Sequence, residues 1–335
     1  MKLHHCPRTL FVLIAASALM TGCADTDSQS DLTSTLKPDR LAASEPAPQS
    51  VDATMDTLVT TQWLSEHIGD PDLVVLDCSV HIEQDEDGGF VPLSGRADYE
   101  DGHIPTAGFA DLMGDLSDSE SPLGFAVPTP EQFTAAMGAL GVGDDSRVVL
   151  YDDSNSGWAA RVWWMLRWVG FDRAALLDGG LGVWKAEGRP LSTEPAVRLA
   201  KQLTPAPRPE LIADRNEVFA AIDNDAVRII DVLPEAHYRG EMSMYARPGH
   251  IPSATNIPVF SLVDESGRYR PLDELAAMHD GDLKARAITY CGGGIAASSN
   301  AFIMTRLGFT DIAVYTASLQ EWAADPANPL VDETP

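Results

Sequence analysis

Cysteine is scarce in this chain. Only Cys6, Cys23, Cys78 and Cys291 occur in 335 residues, with no CxxC pair and no Cys/His cluster at metal-ligand spacing. A disulfide framework and a zinc site are thereby excluded. Basic residues are also few, 23 against 50 acidic ones, for a formal net charge of −27. A polyanion would be repelled and no basic stripe compensates, so nucleic acid is excluded as a partner. Long apolar runs are missing beyond residue 20, so no later segment reads as transmembrane. What remains is ordinary globular composition, 44% hydrophobic, in a chain long enough for two domains of usual size.

The first residues carry a targeting pattern. Lys2 and Arg8 form a basic start, Leu10 to Met20 an apolar stretch too short to span a bilayer, and Thr21-Gly22-Cys23 a small-residue cleavage site. Leu19 to Cys23 resembles a bacterial lipobox, which implies a signal peptide over 1–22 and lipidation of Cys23. An ordinary secretory signal is the alternative reading. Residues 23–56, rich in Ser, Thr, Asp, Ala and Pro without periodicity, are expected to form a disordered tether. The expected location is periplasmic or otherwise extracytoplasmic, with the chain anchored to a membrane as a lipoprotein.

From Thr57 onward short apolar runs alternate with helical stretches. Leu73–Leu76, Val148–Tyr151, Ala174–Leu177, Val227–Ile230, Ala287–Tyr290 and Ile312–Tyr315 read as buried strands. Glu131–Leu140, Trp158–Val169, Asp214–Ile222 and Ser298–Leu307 read as helices. The alternation predicts an α/β fold of mostly parallel sheets flanked by helices. The chain also repeats itself. Val74–Asp77 answers to Arg228–Asp231 and Gly102-His103-Ile104-Pro105 to Gly249-His250-Ile251-Pro252. Val148–Asp152 answers to Ala287–Cys291, and Trp184 to Trp322. Four landmarks in one order predict two copies of one domain, 57–192 and 210–330, joined by a Pro-rich linker.

Cys291 is the most informative single residue. It follows a short buried strand and precedes Gly292-Gly293-Gly294-Ile295-Ala296 and a helix start. Glycines let successive N–H groups turn inward as an anion nest, and a helix start adds free N–H groups and a positive dipole end. Such a cradle favours a thiolate, the nucleophilic form of cysteine. Cys78, beside Asp77, reads as an inert strand cysteine. Asp77 and Asp231 read as caps of neighbouring loops, His103 and His250 as braces of the GHIP turns, and Trp158, Trp163, Trp164 and Trp168 mostly as core.

From about Leu58 to Leu330 the chain resembles the tandem-domain rhodanese family, the thiosulfate and 3-mercaptopyruvate sulfurtransferases. The resemblance rests on the two GHIP motifs, Ala159-Ala160-Arg161-Val162-Trp163-Trp164, Leu177-Asp178-Gly179-Gly180-Leu181, and the loop from Cys291 to Ala296. It implies two rhodanese-like domains, the first inactive because Asp152 stands where the second has Cys291. It also implies transfer of sulfane sulfur from thiosulfate or 3-mercaptopyruvate, through a Cys291 persulfide, to cyanide or a thiol, with no cofactor.

The same resemblance implies that Gly292, Gly293, Gly294, Ile295 and Ala296 hold the transferred sulfur. His237 falls where the family has a substrate-binding arginine, Arg247 matches a second, and Arg239 lies nearby. The loop is closer to CGSGVT of mercaptopyruvate enzymes than to CRKGVT of thiosulfate enzymes. It departs from the first by Gly293 in place of serine and Ala296 in place of threonine. That departure leaves open a sulfur-carrier module with little turnover of small donors. The short loop and the lack of a second nearby cysteine argue against a redox or phosphatase-like thiol enzyme.

Overall fold

Two sheets of the same design account for the duplication, in a computed structural model that describes residues 55–84 and 90–334. The expected signal peptide, Cys23 and nearly all of the expected tether lie outside the described residues. The first half contributes β1 (Leu58–Val59), β2 (Leu73–Asp77), β3 (Val80–Gln84), β4 (Phe90–Ser94), β5 (Gly108–Phe109), β6 (Arg147–Tyr151) and β7 (Ala174–Leu177). The second contributes β8 (Ile212–Ala213), β9 (Val227–Asp231), β10 (Ala254–Asn256), β11 (Arg286–Tyr290) and β12 (Ile312–Tyr315). Strand order is β1-β7-β6-β2-β5 in one sheet and β8-β12-β11-β9-β10 in the other, all parallel. Their central strands are mostly apolar and buried because both faces are covered. Each half is thus the parallel α/β layer that the sequence predicts.

The two copies agree down to single hydrogen bonds. Tyr151 and Tyr290 each end a central strand, and their hydroxyls accept the amides of Ile104 and Ile251 at 3.2 and 2.9 Å. His103 and His250 turn Nδ1 to the carbonyls of Tyr99 and Tyr238, both at 2.7 Å. The expectation that these histidines brace the GHIP turns therefore describes what they do. Trp184 and Trp322 donate their indole N–H to Pro190 and Pro329, each at 2.8 Å.

The halves meet through helix Gly157–Trp168 and helix Ile295–Arg306, which pack along each other. Alanines 159, 160, 297 and 301 are all buried there and allow close approach, while Trp163 meets Phe302 edge-on at 4.9 Å. One apolar cluster runs through both halves, so the second half folds against the first. The Pro-rich linker is pinned rather than free: Ala206 and Arg208 donate to the carbonyls of Val169 and Trp168, and Thr204 donates to Asp144. Only the antiparallel hairpin β3–β4 breaks the parity, since the second half has no counterpart to it among the described residues.

Candidate active site around Cys291

β11 is a central strand, and Cys291 sits just beyond its carboxyl end, where the parallel sheet opens onto the loops. Cys291 is 3% exposed. The chain turns through Gly294, whose φ of +83° is a left-handed value suited to glycine, and enters the 12-residue helix at Ile295. This turn brings the Gly294 amide 3.1 Å from Cys291 Sγ, with sulfur as acceptor. The next amides, in the first turn of the helix, have no carbonyl four residues back to bond. Sulfur therefore faces donors and a positive dipole end, a setting made for an anion.

A second loop locks the first. The Cys291 amide donates to Ser318 Oγ at 3.1 Å, and that hydroxyl donates to Tyr315 O at 2.6 Å. Leu319 and Gln320 donate to the carbonyls of Cys291 and Gly292 at 3.2 and 3.0 Å. Ser318 holds a φ of +51°, where the first half has Gly180 at +54°. A non-glycine residue there is strained, and its hydroxyl is the part that touches the cysteine.

The three glycines make room for side chains from elsewhere. A Cβ on Gly292 would collide with Tyr245 Oη, and one on Gly293 with Gln320 Nε2. A Cβ on Gly294 would lie 2.8 Å from Thr316 O and 3.0 Å from Arg161 Nη1. Gln320 also reaches the first half, where its Oε1 accepts the Gly124 amide at 2.9 Å and its Nε2 donates to Gly124 O at 3.3 Å. The amide of Gln320 thus stands where a serine at position 293 would begin.

Arg161 comes from the first half and is 1% exposed. One nitrogen, Nη2, donates to Phe125 O at 2.9 Å, whereas Nε and Nη1 have no partner among the described residues. Burial pushes its pKa down to about 10, so it is still a cation at neutral pH, and the opposing charge it feels is that of Cys291. A cation at the positive end of a helix, with the N–H groups of Nε and Nη1 unused, is unfavourable unless an anion is shared between them.

The expected substrate arginines are engaged elsewhere. Arg247 donates from Nε to Ala323 O at 2.9 Å and from Nη2 to Trp322 O and Asp325 O at 3.2 and 2.7 Å. It therefore closes the carboxyl end of the short helix Ser318–Trp322, which carries Ser318 and Gln320. Arg239 is half exposed and pairs with Glu235 and Glu333. His237 has both ring nitrogens shielded and unpartnered among the described residues, and burial lowers its pKa from the usual value. Burial thus disfavours the charged form of the imidazole at the position where the family has an arginine. Carbonyls of residues 322–325 thus take the Arg247 guanidinium and two carboxylates take that of Arg239, while the His237 ring is left without a partner among the described residues.

The matching position in the first half carries a carboxyl group instead of a thiol. Asp152 is buried, and its carboxylate accepts the amides of Ser154, Ser156 and Ala159 at 2.9, 3.0 and 2.9 Å. Its nest is filled by its own carboxyl group and holds no thiol, and burial raises the pKa of that carboxyl against the opposing effect of the three amides. Cys78 is fully buried, and burial raises its thiol well above the usual range, which leaves it inert. Among the described residues, one group could hold a metal ion: His81, Asp98 and Asp153. Its two imidazole nitrogens face separate carboxylates at 2.8 and 3.5 Å, an ion-pair arrangement rather than a chelate.

Sequence reasoning missed Tyr245, Gln320, Ser318 and the role of Arg161. Only Arg161 left a signal, as a cation set directly among Ala159, Ala160, Val162 and Trp163 in a helix that buries four tryptophans.

Comparison with known proteins agrees with this geometry. A family model described as a rhodanese-like domain matches residues 60–187 and again 214–325. A probable 3-mercaptopyruvate sulfurtransferase of Pseudomonas aeruginosa is 33% identical over 285 residues, covering 82% of this chain and 97% of the relative. The 3-mercaptopyruvate sulfurtransferase of Escherichia coli O157:H7 is 34% identical over 286 residues, 81% of this chain and 98% of the relative. The crystal structure of the Escherichia coli 3-mercaptopyruvate sulfotransferase SseA superposes with a TM-score of 0.69 at 34% identity, covering 79% of this chain and 99% of that one.

Proposed function

The chain belongs to the rhodanese family, and from that premise we propose that Cys291 carries sulfane sulfur from a small anionic donor to a thiol or cyanide acceptor. The protein is a sulfurtransferase. The donor we favour is 3-mercaptopyruvate, with thiosulfate second. In the first step the Cys291 thiolate attacks the donor's outer sulfur. An S–S bond forms, the donor's C–S or S–S bond breaks, and the electron pair leaves on pyruvate's enolate or on sulfite. In the second step the acceptor attacks the outer sulfur and the electron pair returns to Cys291.

The observation that carries this reading is the Gly294 amide donating to Cys291 Sγ at 3.1 Å at a helix start. A persulfide anion would extend among the amides of Gly292 to Ala296, stabilised by preorganised dipoles. Arg161 supplies the fixed positive charge, Tyr245 and Gln320 line the mouth with neutral donors, and Arg247 acts through the helix Ser318–Trp322 as a positioning residue. Gly293 in place of serine, with Arg239 and Arg247 occupied, favours a sulfur carrier as the second reading. Steady-state turnover on small donors separates the two.

The test is intact mass. Incubation with mercaptopyruvate should add one sulfur, about 32 Da, and cyanide should remove it. An unchanged mass, or a sulfur located on Cys78, overturns the assignment.

The domains are assigned to 57–192 and 210–330, bounds that enclose both family matches. For residues 1–56 the sequence supports a signal peptide, a lipidated Cys23 and a tether, which would place the enzyme outside the inner membrane. Among the described residues no helix is long and apolar enough to cross a membrane. Cell fractionation of Cys23→Ala tests the anchor, and unchanged membrane association would refute it.

A further inference from the structure

Tyr245 has so far been given only a place at the mouth of the site, yet its hydroxyl is the group pressed against the cysteine loop at Gly292. Its loop holds it there from both sides. Ser243 Oγ accepts the Tyr245 amide at 3.2 Å and donates to the Tyr245 carbonyl at 3.0 Å. Two residues on, Arg247 is tied to the carbonyls of Trp322, Ala323 and Asp325. The phenol itself has no hydrogen-bond partner among the described residues. Burial, together with the negative charges of Cys291 and Asp231, raises its pKa well above the usual range, so it stays protonated and keeps its proton available.

The two donors make different demands on such a group. Thiosulfate releases sulfite, an anion stable in water, and its release needs no proton. Mercaptopyruvate releases an enolate, a strong base that becomes pyruvate only when its carbon is protonated. The other polar groups at the loop cannot serve: Gln320 offers an amide, Ser318 has committed its hydroxyl hydrogen to Tyr315 O, and the ring nitrogens of His237 are shielded.

We propose that Tyr245 is a catalytic residue, the general acid that protonates the carbon leaving group when Cys291 takes sulfur from 3-mercaptopyruvate. The proposal rests on the sulfurtransferase reading. Cys291 thiolate forms the S–S bond, the C–S bond breaks, and the electron pair passes to the enolate. The enolate takes the phenolic proton, giving pyruvate and a tyrosinate. The hydrogen that arrived on the donor's thiol is now on the outer persulfide sulfur, and it returns to the tyrosinate. The balance is one thiolate and one mercaptopyruvate in, one persulfide anion and one pyruvate out.

The test compares Tyr245→Phe with the unchanged protein in single-turnover loading of Cys291 from each donor, with pyruvate measured alongside. A positioned general acid contributes about 10²–10⁴-fold. The ratio of mercaptopyruvate to thiosulfate loading rates should fall by roughly tenfold or more, in the maximal loading rate rather than in the donor concentration that half-saturates it. Equal losses with both donors, or an unchanged ratio, overturn the role, since a merely structural tyrosine would affect both alike. If the unchanged protein loads no sulfur from either donor, the parent reading fails and this role fails with it.

Discussion

Arg161 of the first half ends at Gly294 of the second, its Nη1 3.0 Å from where a side chain would begin. The first half thus places a buried cation beside the Cys291 loop of the second. Replacing a buried, underpaired cation with an apolar residue of similar length is often neutral or stabilising. Arg161→Met should therefore keep or raise the melting temperature while slowing sulfur loading of Cys291. A charge-assisted hydrogen bond is worth about 1.5–3 kcal/mol, so the loss should be roughly 10–150-fold. Arg161→Lys should recover part of it. Unchanged loading in Arg161→Met would show that the cation serves packing alone.

The second prediction separates the cysteines. Cys291→Ser should abolish donor-dependent mass gain and leave the fold intact, because the hydroxyl occupies nearly the same space. Cys78→Ser should retain loading and cost at most about 1–3 kcal/mol of stability, since it puts a hydroxyl into a fully buried site. Denaturant titration and intact mass, run on both variants, check it. Loading that survives in Cys291→Ser would overturn the nucleophile.

Much of this was legible in the sequence because it rests on local signals. All six runs read as strands are strands, and the four stretches read as helices are helices, with ends shifted by up to three residues. Cys291 stood out because three consecutive glycines after a buried strand are costly unless something must come close. What came close could not be read. Tyr245 and Gln320 lie 46 residues before and 29 after Cys291 in sequence, on loops whose approach depends on the finished fold. The edge strands β1, β5 and β8 have two residues each, too few to show a period. Arg239 and Arg247 read as substrate-binding from the resemblance, and sequence does not show which carbonyls and carboxylates they also meet.

Gln320 and Gly293 give the third prediction. Gly293→Ser puts a side chain into the Gln320 amide, which is itself held by Gly124. The single variant should lose stability and loading activity. Pairing it with Gln320→Ala should restore both, with a coupling energy of about 0.5–3 kcal/mol in a double-mutant cycle. Additive effects would mean that the two positions do not share the space.

The last prediction concerns pH and Asp231, which ends β9 in register with Tyr290 beside the cysteine. Burial pushes its carboxyl up to about 7, against the opposing effect of the Leu233 amide, which donates to it at 2.8 Å. In the unfolded chain the same group titrates near about 3.9. Between those values the folded state keeps a proton that the unfolded state has lost, so raising the pH favours unfolding. The stability it contributes is complete below about pH 4 and is lost as pH rises through about 7. Asp77, its counterpart in the first half, is pushed up to about 6 by burial and acts in the same direction. Burial also raises Asp152 and Asp178, so Asp231→Asn removes one of several contributions. Its melting temperature should therefore fall less than that of the unchanged protein between about pH 4.5 and 7.5, with the Asp77 part of the slope retained. Parallel curves for the two proteins would mean that Asp231 is ionised in the folded state across this range.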